Sequence, residues 1–455
     1  MENLLFSDKI TYHIYPLGLF NCPKNNDFTC PAGNGFDLLQ GELERIKDLG
    51  VNLLYIGPIC ESSKHGYDTL DYYHVDRRLG NNEKFASFCN RAHEMGFSIV
   101  LDAVFNHTGR DFFAFKDLLQ NGQNSPYKDW YLNLHFDRQS NYGDPFDYDG
   151  WAGCKDLVKL NVDNPQVQEH LFGAVEMWMK DFKIDGLRLD AADVLSKNFM
   201  DNLNRFCKSR KQDFWLMGEV VHGNYNDWVR PGRLDSVTNY QIYTALYSGF
   251  NDANFFDPAF NLNREFGDPG IYNHSPLYTF LDNHDVNRIA STVKEPEFLY
   301  PLYGLAFTIP GIPSIYYGSE FGIQGKRGQY DDFQLRPSLP PFAPMPDFAK
   351  PQTDPNALVE VIKRFAKIRQ NEVALQKGSY RQIAVTNTQF MFERKYDNDQ
   401  IVIAVNSEDS EKSIYNNLDG TYEDLLNGGT FSGKELQELK IPAIWIRILK
   451  RNNSR

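Results

Sequence analysis

Apolar residues along the chain follow two alternating periods. Short continuous apolar runs occur at 10–16, 52–58, 98–104, 184–190, 213–219, 277–283 and 312–318, with a weaker run at 234–238. Runs of this length read as strands covered on both faces. Stretches with helical spacing lie between them. Leu38, Leu39, Leu43, Ile46 and Leu49 mark a helix over 36–49, and Gly50 closes it. A second helix covers 83–95 and stops at Gly96. A third covers 165–182, with Asn164 as N-cap and Pro165 in the first helical position. Further helices are predicted over 196–210 and 356–370. Strand–helix alternation is the mark of parallel β/α units, and eight of them predict a closed barrel.

The rhythm breaks twice. Residues 107–163 are rich in Asn, Asp, Gly and aromatics without a clear period, which predicts an inserted subdomain after the third strand. Residues 337–351 are Pro-rich and read as a loop. From about 374 onward the pattern becomes strict alternation at 390–394, 401–405 and 443–448, which predicts antiparallel strands. The predicted fold class is α/β: a (β/α)8 TIM barrel with an inserted subdomain and a C-terminal antiparallel β domain. Residues 1–106 then open the barrel, 107–163 form the insertion, 164–373 complete the barrel, and 374–455 make a C-terminal β-sandwich domain.

Composition narrows the function. The chain has 455 residues, 42% hydrophobic and 24% charged, so it is globular throughout. Its net charge of -13 argues against nucleic acid or an anionic membrane surface as partner. The start of the chain has no basic segment followed by an apolar core, so no leader is read there, and no run is long enough to span a membrane. Cys22, Cys30, Cys60, Cys89, Cys154 and Cys207 have no metal-ligand spacing and predict reduced thiols in a cytoplasmic protein; Cys22 and Cys30 share a loop and are the one candidate pair. The 25 tyrosines and 34 phenylalanines serve mainly as core but also suit the apolar faces of sugars.

The polar chemistry collects where predicted strands end. The third strand ends at Asp102, the fourth at Asp190, the fifth at Glu219, and the seventh runs into Asn283-His284-Asp285. In β/α barrels these ends face the active site. In the run 184–190, Arg188 and Asp190 point to one face and Leu187 and Leu189 to the other. The guanidinium favours an ionised Asp190, which suits a nucleophile. Glu219 follows an apolar approach of Trp215, Leu216 and Met217, which suits a protonated acid. A pair of carboxyl groups is the minimum for glycoside hydrolysis, and Asp285 would oppose charge developing on the sugar ring. A structural Arg–Asp pair and ordinary capping acids are the alternatives for these residues. Asp102 reads as a structural hydrogen-bond acceptor at the barrel mouth.

With these residues in place the chain resembles the α-amylase family of retaining glycoside hydrolases. The resemblance rests on Asp102-Ala-Val-Phe-Asn-His107, Gly186-Leu-Arg-Leu-Asp190, Gly218-Glu-Val220 and Phe280-Leu-Asp-Asn-His-Asp285, with Gly66-Tyr-Asp68 and Gly311-Ile-Pro-Ser-Ile-Tyr-Tyr-Gly-Ser-Glu320 as further matches. It implies Asp190 as nucleophile, Glu219 as acid and base, and Asp285 as transition-state stabiliser. It also implies His107 and His284 as ligands of sugar hydroxyls, Arg188 as the residue positioning Asp190, and Tyr67 as a stacking platform. Arg288 and Arg336 are candidates to reach substrate, with solvated loop arginines as the alternative. Val158-Lys-Leu-Asn161 is similar to the neopullulanase and cyclomaltodextrinase branch. Two features depart from that branch: no extra N-terminal β domain precedes the first strand, so no oligomeric state is implied, and Glu219-Val-Val-His222 lacks the usual Trp. Ala191 after the nucleophile leans toward α-1,4 bonds.

No cofactor is implied for the chemistry. A structural calcium is implied by some relatives, with Asn106, Asp144, Asp147 and Asp149 as candidate ligands and the loop 21–27 as a second candidate. The expected partner is an α-glucan oligosaccharide. The expected activity is hydrolysis of α-1,4 bonds in malto-oligosaccharides, cyclodextrins included, through a covalent glycosyl-enzyme. A transglycosylase or disaccharide isomerase on the same scaffold is the alternative, and a non-catalytic carbohydrate-binding scaffold the distant one.

Overall fold

A computed structural model describes residues 5–273, 275–329 and 331–452. Residues 1–4, on which the absence of a leader was partly read, lie outside the described residues. Eight parallel strands form one sheet: β1 (Thr11–Ile14), β2 (Leu53–Ile56), β3 (Ser98–Ala103), β4 (Gly186–Leu189), β5 (Trp215–Gly218), β6 (Ser236–Val237), β7 (Tyr278–Phe280) and β8 (Ile312–Tyr316). Neighbours pair in chain order, and β1 pairs with β8 through Thr11↔Ser314. A single parallel bridge, Thr238↔Tyr278, joins the β6 side to β7 and closes the ring. Each strand sits within or overlaps its predicted run. The weak sixth run yields only two strand residues.

Strand alternation sorts the side chains into two layers. Leu53, Tyr55, Val100, Trp215, Met217, Tyr278, Phe280 and Ile312 pack together inside the ring, with Phe6 plugging one end against Trp215 at 5.0 Å between ring centroids. Leu54, Ile56, Ile99, Leu101, Leu187, Leu189 and Leu216 face the surrounding helices and are fully or almost fully buried. Arg188 is the register partner of Asp102 across β3 and β4, so those two polar groups share the inner face.

The helices carry the predicted caps. The Asn164 side chain accepts from the Gln166 amide ahead of helix Pro165–Met177, which runs on as a wider turn over Trp178–Phe182. Gly50 follows helix Gly35–Asp48 at φ 83°, a backbone shape that an L side chain resists. The insertion after β3 holds a three-stranded antiparallel sheet of His107–Gly109, Cys154–Lys159 and Gly150–Trp151, with helix Phe113–Asn121 beside it. Phe115, Tyr131, Phe146 and Tyr148 form its core. A hairpin of Cys60–Ser62 and Thr69–Val75 follows β2.

The C-terminal region is antiparallel. Six strands order as Ser379–Val385, Gln389–Tyr396, Asp399–Asn406, Trp445–Arg451, Thr421–Asp424 and Thr430–Ser432. A two-stranded sheet, Lys412–Tyr415 with Glu438–Ile441, shares a core with them around Met391, Val402, Leu439 and Leu449. All six cysteines are free, so Cys22 and Cys30 do not pair. Among the described residues no helix is long and apolar enough to cross a membrane.

Candidate active site

Three strand ends deliver carboxyl groups to one guanidinium. Arg188, at the end of β4, is 3% exposed and lies among acids. Its Nη1 donates to Asp102 at 2.8 Å and to Asp190 at 2.9 Å. Its Nη2 is 2.9 Å from a Glu219 oxygen, and the same oxygen accepts from the Ala191 amide at 3.0 Å. Asp190 and Glu219 therefore meet across a shared cation. A guanidinium is suited to this because its planar fork presents several donors at fixed angles.

Burial is the largest influence on both carboxyls. It pushes the carboxyls of Asp190 and Glu219 up, and Arg188 opposes this in both. Glu219 and Asp102 add to the rise at Asp190, while Asp285 adds to it at Glu219. One cation shared in this way does not offset the burial of Asp190 and Glu219. The sequence expectation of an ionised Asp190 rested on Arg188; burial, Glu219 and Asp102 push the other way. A raised Glu219 suits a proton donor, and Asp285 supplies part of the rise.

Asp285 has the opposite surroundings. Burial pushes it up, but His284, Arg336 and Arg188 outweigh that and hold it well below the usual carboxylate range. Arg336 Nη2 lies 3.0 Å from one Asp285 oxygen, and His284 Nε2 lies 2.9 Å from the other. The Asp285 amide donates to the Asn283 side chain at 2.8 Å, which fixes the loop. Asp190, Glu219 and Asp285 all line one cavity of about 780 Å³, within the range of small-molecule sites. Tyr67, His107, Arg336, Trp151, Val221, His222, Tyr240, Gln241 and Thr244 complete much of its wall.

The alpha-amylase catalytic-domain model matches residues 32–350, which include every one of these groups. The chain belongs to the α-amylase family of glycoside hydrolases. It is 31% identical to a cyclomaltodextrinase of a Bacillus species over 447 residues, covering 93% of this chain and 77% of that one. It is 30% identical to the cyclomaltodextrinase of Thermoanaerobacter pseudethanolicus over 438 residues, covering 92% and 74%. A solved cyclomaltodextrinase structure superposes with a TM-score of 0.83 at 26% identity, covering 98% of this chain and 78% of that chain.

Within this α-amylase-family site the remaining sequence candidates divide. The Tyr67 hydroxyl donates to Asp102 at 2.9 Å and lies 2.5 Å from His284 Nε2, and its ring stacks on that of His284 at 5.3 Å. Asp102 also accepts from Tyr55, and so acts as the structural acceptor expected of it. His107 lines the cavity, but both its ring nitrogens are engaged: Nε2 with the Tyr67 carbonyl at 3.0 Å and Nδ1 with Asn106 at 3.2 Å. Burial lowers its pKa to about 4, against that carbonyl contact, so the ring is neutral near pH 7. His284 sits beneath Tyr67 and Asp285, with Nδ1 buried and unpartnered. Arg336 reaches the cavity.

Arg288 does not. It is wholly buried and donates to the carbonyls of Leu335 and Tyr317 and to Ser319, with its guanidinium 3.9 Å from the Tyr316 ring centroid. Backbone carbonyls of the loop after β8 hold its Nε and Nη1, while Nη2 is buried without a partner, and it ties that loop down.

The calcium candidates do not fit a calcium. Asp144 forms a double ion pair with Arg110 and accepts from Ser140 and Tyr148. Asp147 is paired with Lys155 and Arg138. Asp149 accepts from Asn133, and Asn106 is turned to His107. In the loop 21–27, Asp27 caps the amides of Thr29 and Cys30, and Asn26 bonds Glu61. Among the described residues no three His, Cys, Asp or Glu side chains converge as metal ligands.

Several wall residues went unread in the sequence. Trp151 sits in the tight turn Gly150-Trp-Ala-Gly-Cys154, where Ala152 and Gly153 have φ 48° and 81°. It is 39% exposed, with its ring 5.9 Å from that of His107. Adjacent positive φ angles are the mark of a primed hairpin turn, a readable signal here only for Gly153. Tyr240, Gln241 and Thr244 begin helix Tyr240–Asn251 and look like an ordinary helix face in sequence.

Proposed function

We propose that this enzyme hydrolyses α-1,4-glucosidic bonds of linear and cyclic malto-oligosaccharides with retention, through a covalent β-glycosyl-enzyme on Asp190. The observation that carries the reading is the one guanidinium shared by Asp190 and Glu219 at the floor of the cavity. Retaining glycosidases hold their two carboxyl groups about 5–5.5 Å apart and inverting ones about 6.5–9.5 Å, and a shared cation favours the close arrangement. Asp190 attacks the anomeric carbon as Glu219 protonates the leaving oxygen. Glu219 then takes a proton from water, the water oxygen bonds to the anomeric carbon, and the Asp190 ester opens. Asp285, held ionised, opposes the positive charge on the ring in both steps.

The site has two sides in this reading. Tyr67, His107, Asp285 and Arg336 surround the sugar that bonds to Asp190. Glu219 faces the leaving group, so Val221 and His222, which follow it, and Tyr240, Gln241 and Thr244 from the next β/α unit form the acceptor side. The similarity to cyclomaltodextrinases supports cyclic as well as linear substrates. The small Ala191, at φ 46°, sits where a β-branched residue would be strained. The convergence of three acids favours an enzyme over a sugar-binding scaffold.

The test is the product profile on maltoheptaose, cyclodextrins and α-1,6-linked substrates, with the first-formed anomer read by proton NMR. The α-anomer of shortened maltodextrins is expected. Asp190→Asn and Glu219→Gln should each lose at least about 10³-fold in kcat, and a 2-fluoro maltosyl fluoride should label Asp190. A β-anomer first product would overturn the retaining reading. Lengthened or isomerised products exceeding hydrolysis would assign the site to glycosyl transfer.

A further inference from the structure

Glu265 is one of several buried acids that the chemistry leaves unused. Glu265, in helix Phe256–Phe266, is wholly out of water. One of its oxygens accepts from the Asn239 side-chain amide at 2.7 Å. The other is 3.5 Å from Arg264 Nη2, and the phenols of Tyr225 and Tyr272 are its remaining ionisable neighbours. Asn239 has two further duties. Its side-chain oxygen caps helix Tyr240–Asn251 by accepting from the Ile242 amide at 3.1 Å, and its backbone amide donates to the Tyr278 carbonyl at 2.9 Å.

That helix carries the acceptor wall. Tyr240, Gln241 and Thr244 line the cavity from its first turns. The Tyr240 hydroxyl accepts from Asn283 at 3.1 Å, and Gln241 donates to the Gly223 carbonyl at 3.2 Å. An Asn cap works only with its oxygen turned to the helix amide. An acceptor behind its NH₂ group fixes that orientation. An apolar residue would fill the volume of Glu265 without the cost of a buried acid, but it would leave the Asn239 amide free to turn.

We propose that Glu265 is a positioning residue: through Asn239 it sets where the first turns of helix Tyr240–Asn251 stand and so shapes the acceptor side of the cleft. The inference rests on the hydrolase reading above, and its test separates the two. Maltoheptaose fills both sides of the cleavage point, whereas α-maltosyl fluoride, with fluoride as leaving group, places no sugar on the acceptor side.

Glu265→Leu is expected to lower kcat/KM on maltoheptaose about tenfold or more, chiefly through KM, and to change it on α-maltosyl fluoride by less than about threefold. Asn239→Ser keeps a capping hydroxyl but loses the link to Glu265, and is expected to show the same split. Glu265→Gln keeps an acceptor and is expected to stay within about twofold of the parent on both substrates. Where thermal melts show that Glu265→Leu does not fold, Asn239→Ser decides. Equal losses on both substrates, or no loss on maltoheptaose, overturn the proposal. A parent enzyme idle on both substrates overturns the hydrolase reading instead.

Discussion

At the scale of single residues the site is governed by the scarcity of positive charge. Arg188 serves Asp102, Asp190 and Glu219 at once. Lysine carries the same charge on one point and cannot span the three. Arg188→Lys is therefore expected to cost about 10²-fold or more in kcat. With the cation no longer held at its side Asp190 rises further, so the acid limb of the pH–kcat/KM profile should move to higher pH. A profile with an unmoved acid limb would show that Arg188 does not tune Asp190.

Glu265 makes a second residue-scale prediction, about stability. Burial raises its pKa to about 7 from the ordinary 4.5, with Asn239 and Arg264 opposing. The folded state thus binds this proton more tightly than the unfolded chain does. By linkage its contribution to stability falls as pH rises from about 4.5 to about 7 and is flat above. Glu265→Gln removes that fall. Relative to the parent, the variant should gain up to about 3 kcal/mol between pH 4.5 and pH 8 in urea unfolding. An identical pH dependence in parent and variant would contradict this.

At the scale of elements the question is what the insertion needs in order to hold its shape. Its acids are neutralised by its own cations, Asp144 by Arg110 and Asp147 by Lys155 and Arg138, and its core is aromatic. The insertion is therefore expected to stand without calcium. Treatment with EDTA followed by gel filtration should leave the thermal midpoint within about 1 °C and the activity unchanged, since a bound ion lost would act by mass action on the folded state. A drop restored by added calcium would reinstate a metal site.

The elements also show what a sequence displays and what it hides. Strands β1 to β5, β7 and β8 were legible because both their faces are covered by apolar layers. The sixth was faint because Asp235 and Ser236 are polar yet buried. Asp235 accepts from Lys208 and from the Leu216 amide, and Ser236 donates to the Pro276 carbonyl. Partners distant in sequence satisfy them, so no local pattern marks the strand. The three candidate catalytic acids were legible because they lie at or just beyond strand ends. Arg288 misled because an arginine in a polar run looks solvated, while folding turns it inward onto carbonyls. The wall from Tyr240 to Thr244 was invisible because which face of a helix meets a cavity is set by the packing of the neighbouring unit.

At the scale of the whole molecule, seven strand pairs are joined by ladders and the eighth junction by one bridge. Local openings follow the thinnest hydrogen bonding. Amide exchange measured by mass spectrometry should therefore find peptides across 236–239 exchanging well ahead of those across Leu53–Ile56 and Ser98–Ala103. The reverse order would contradict this reading of the junction.

That single bridge has a further consequence. A hoop with one light clasp takes up strain at the clasp, and this one sits directly beneath the first turn of helix Tyr240–Asn251. A bound oligosaccharide leaning on that helix would press the clasp shut. Occupancy of the leaving-group side would then register as slower exchange at the foot of the hoop, coupling how firmly the sugar chain is gripped to how firmly the ring is fastened.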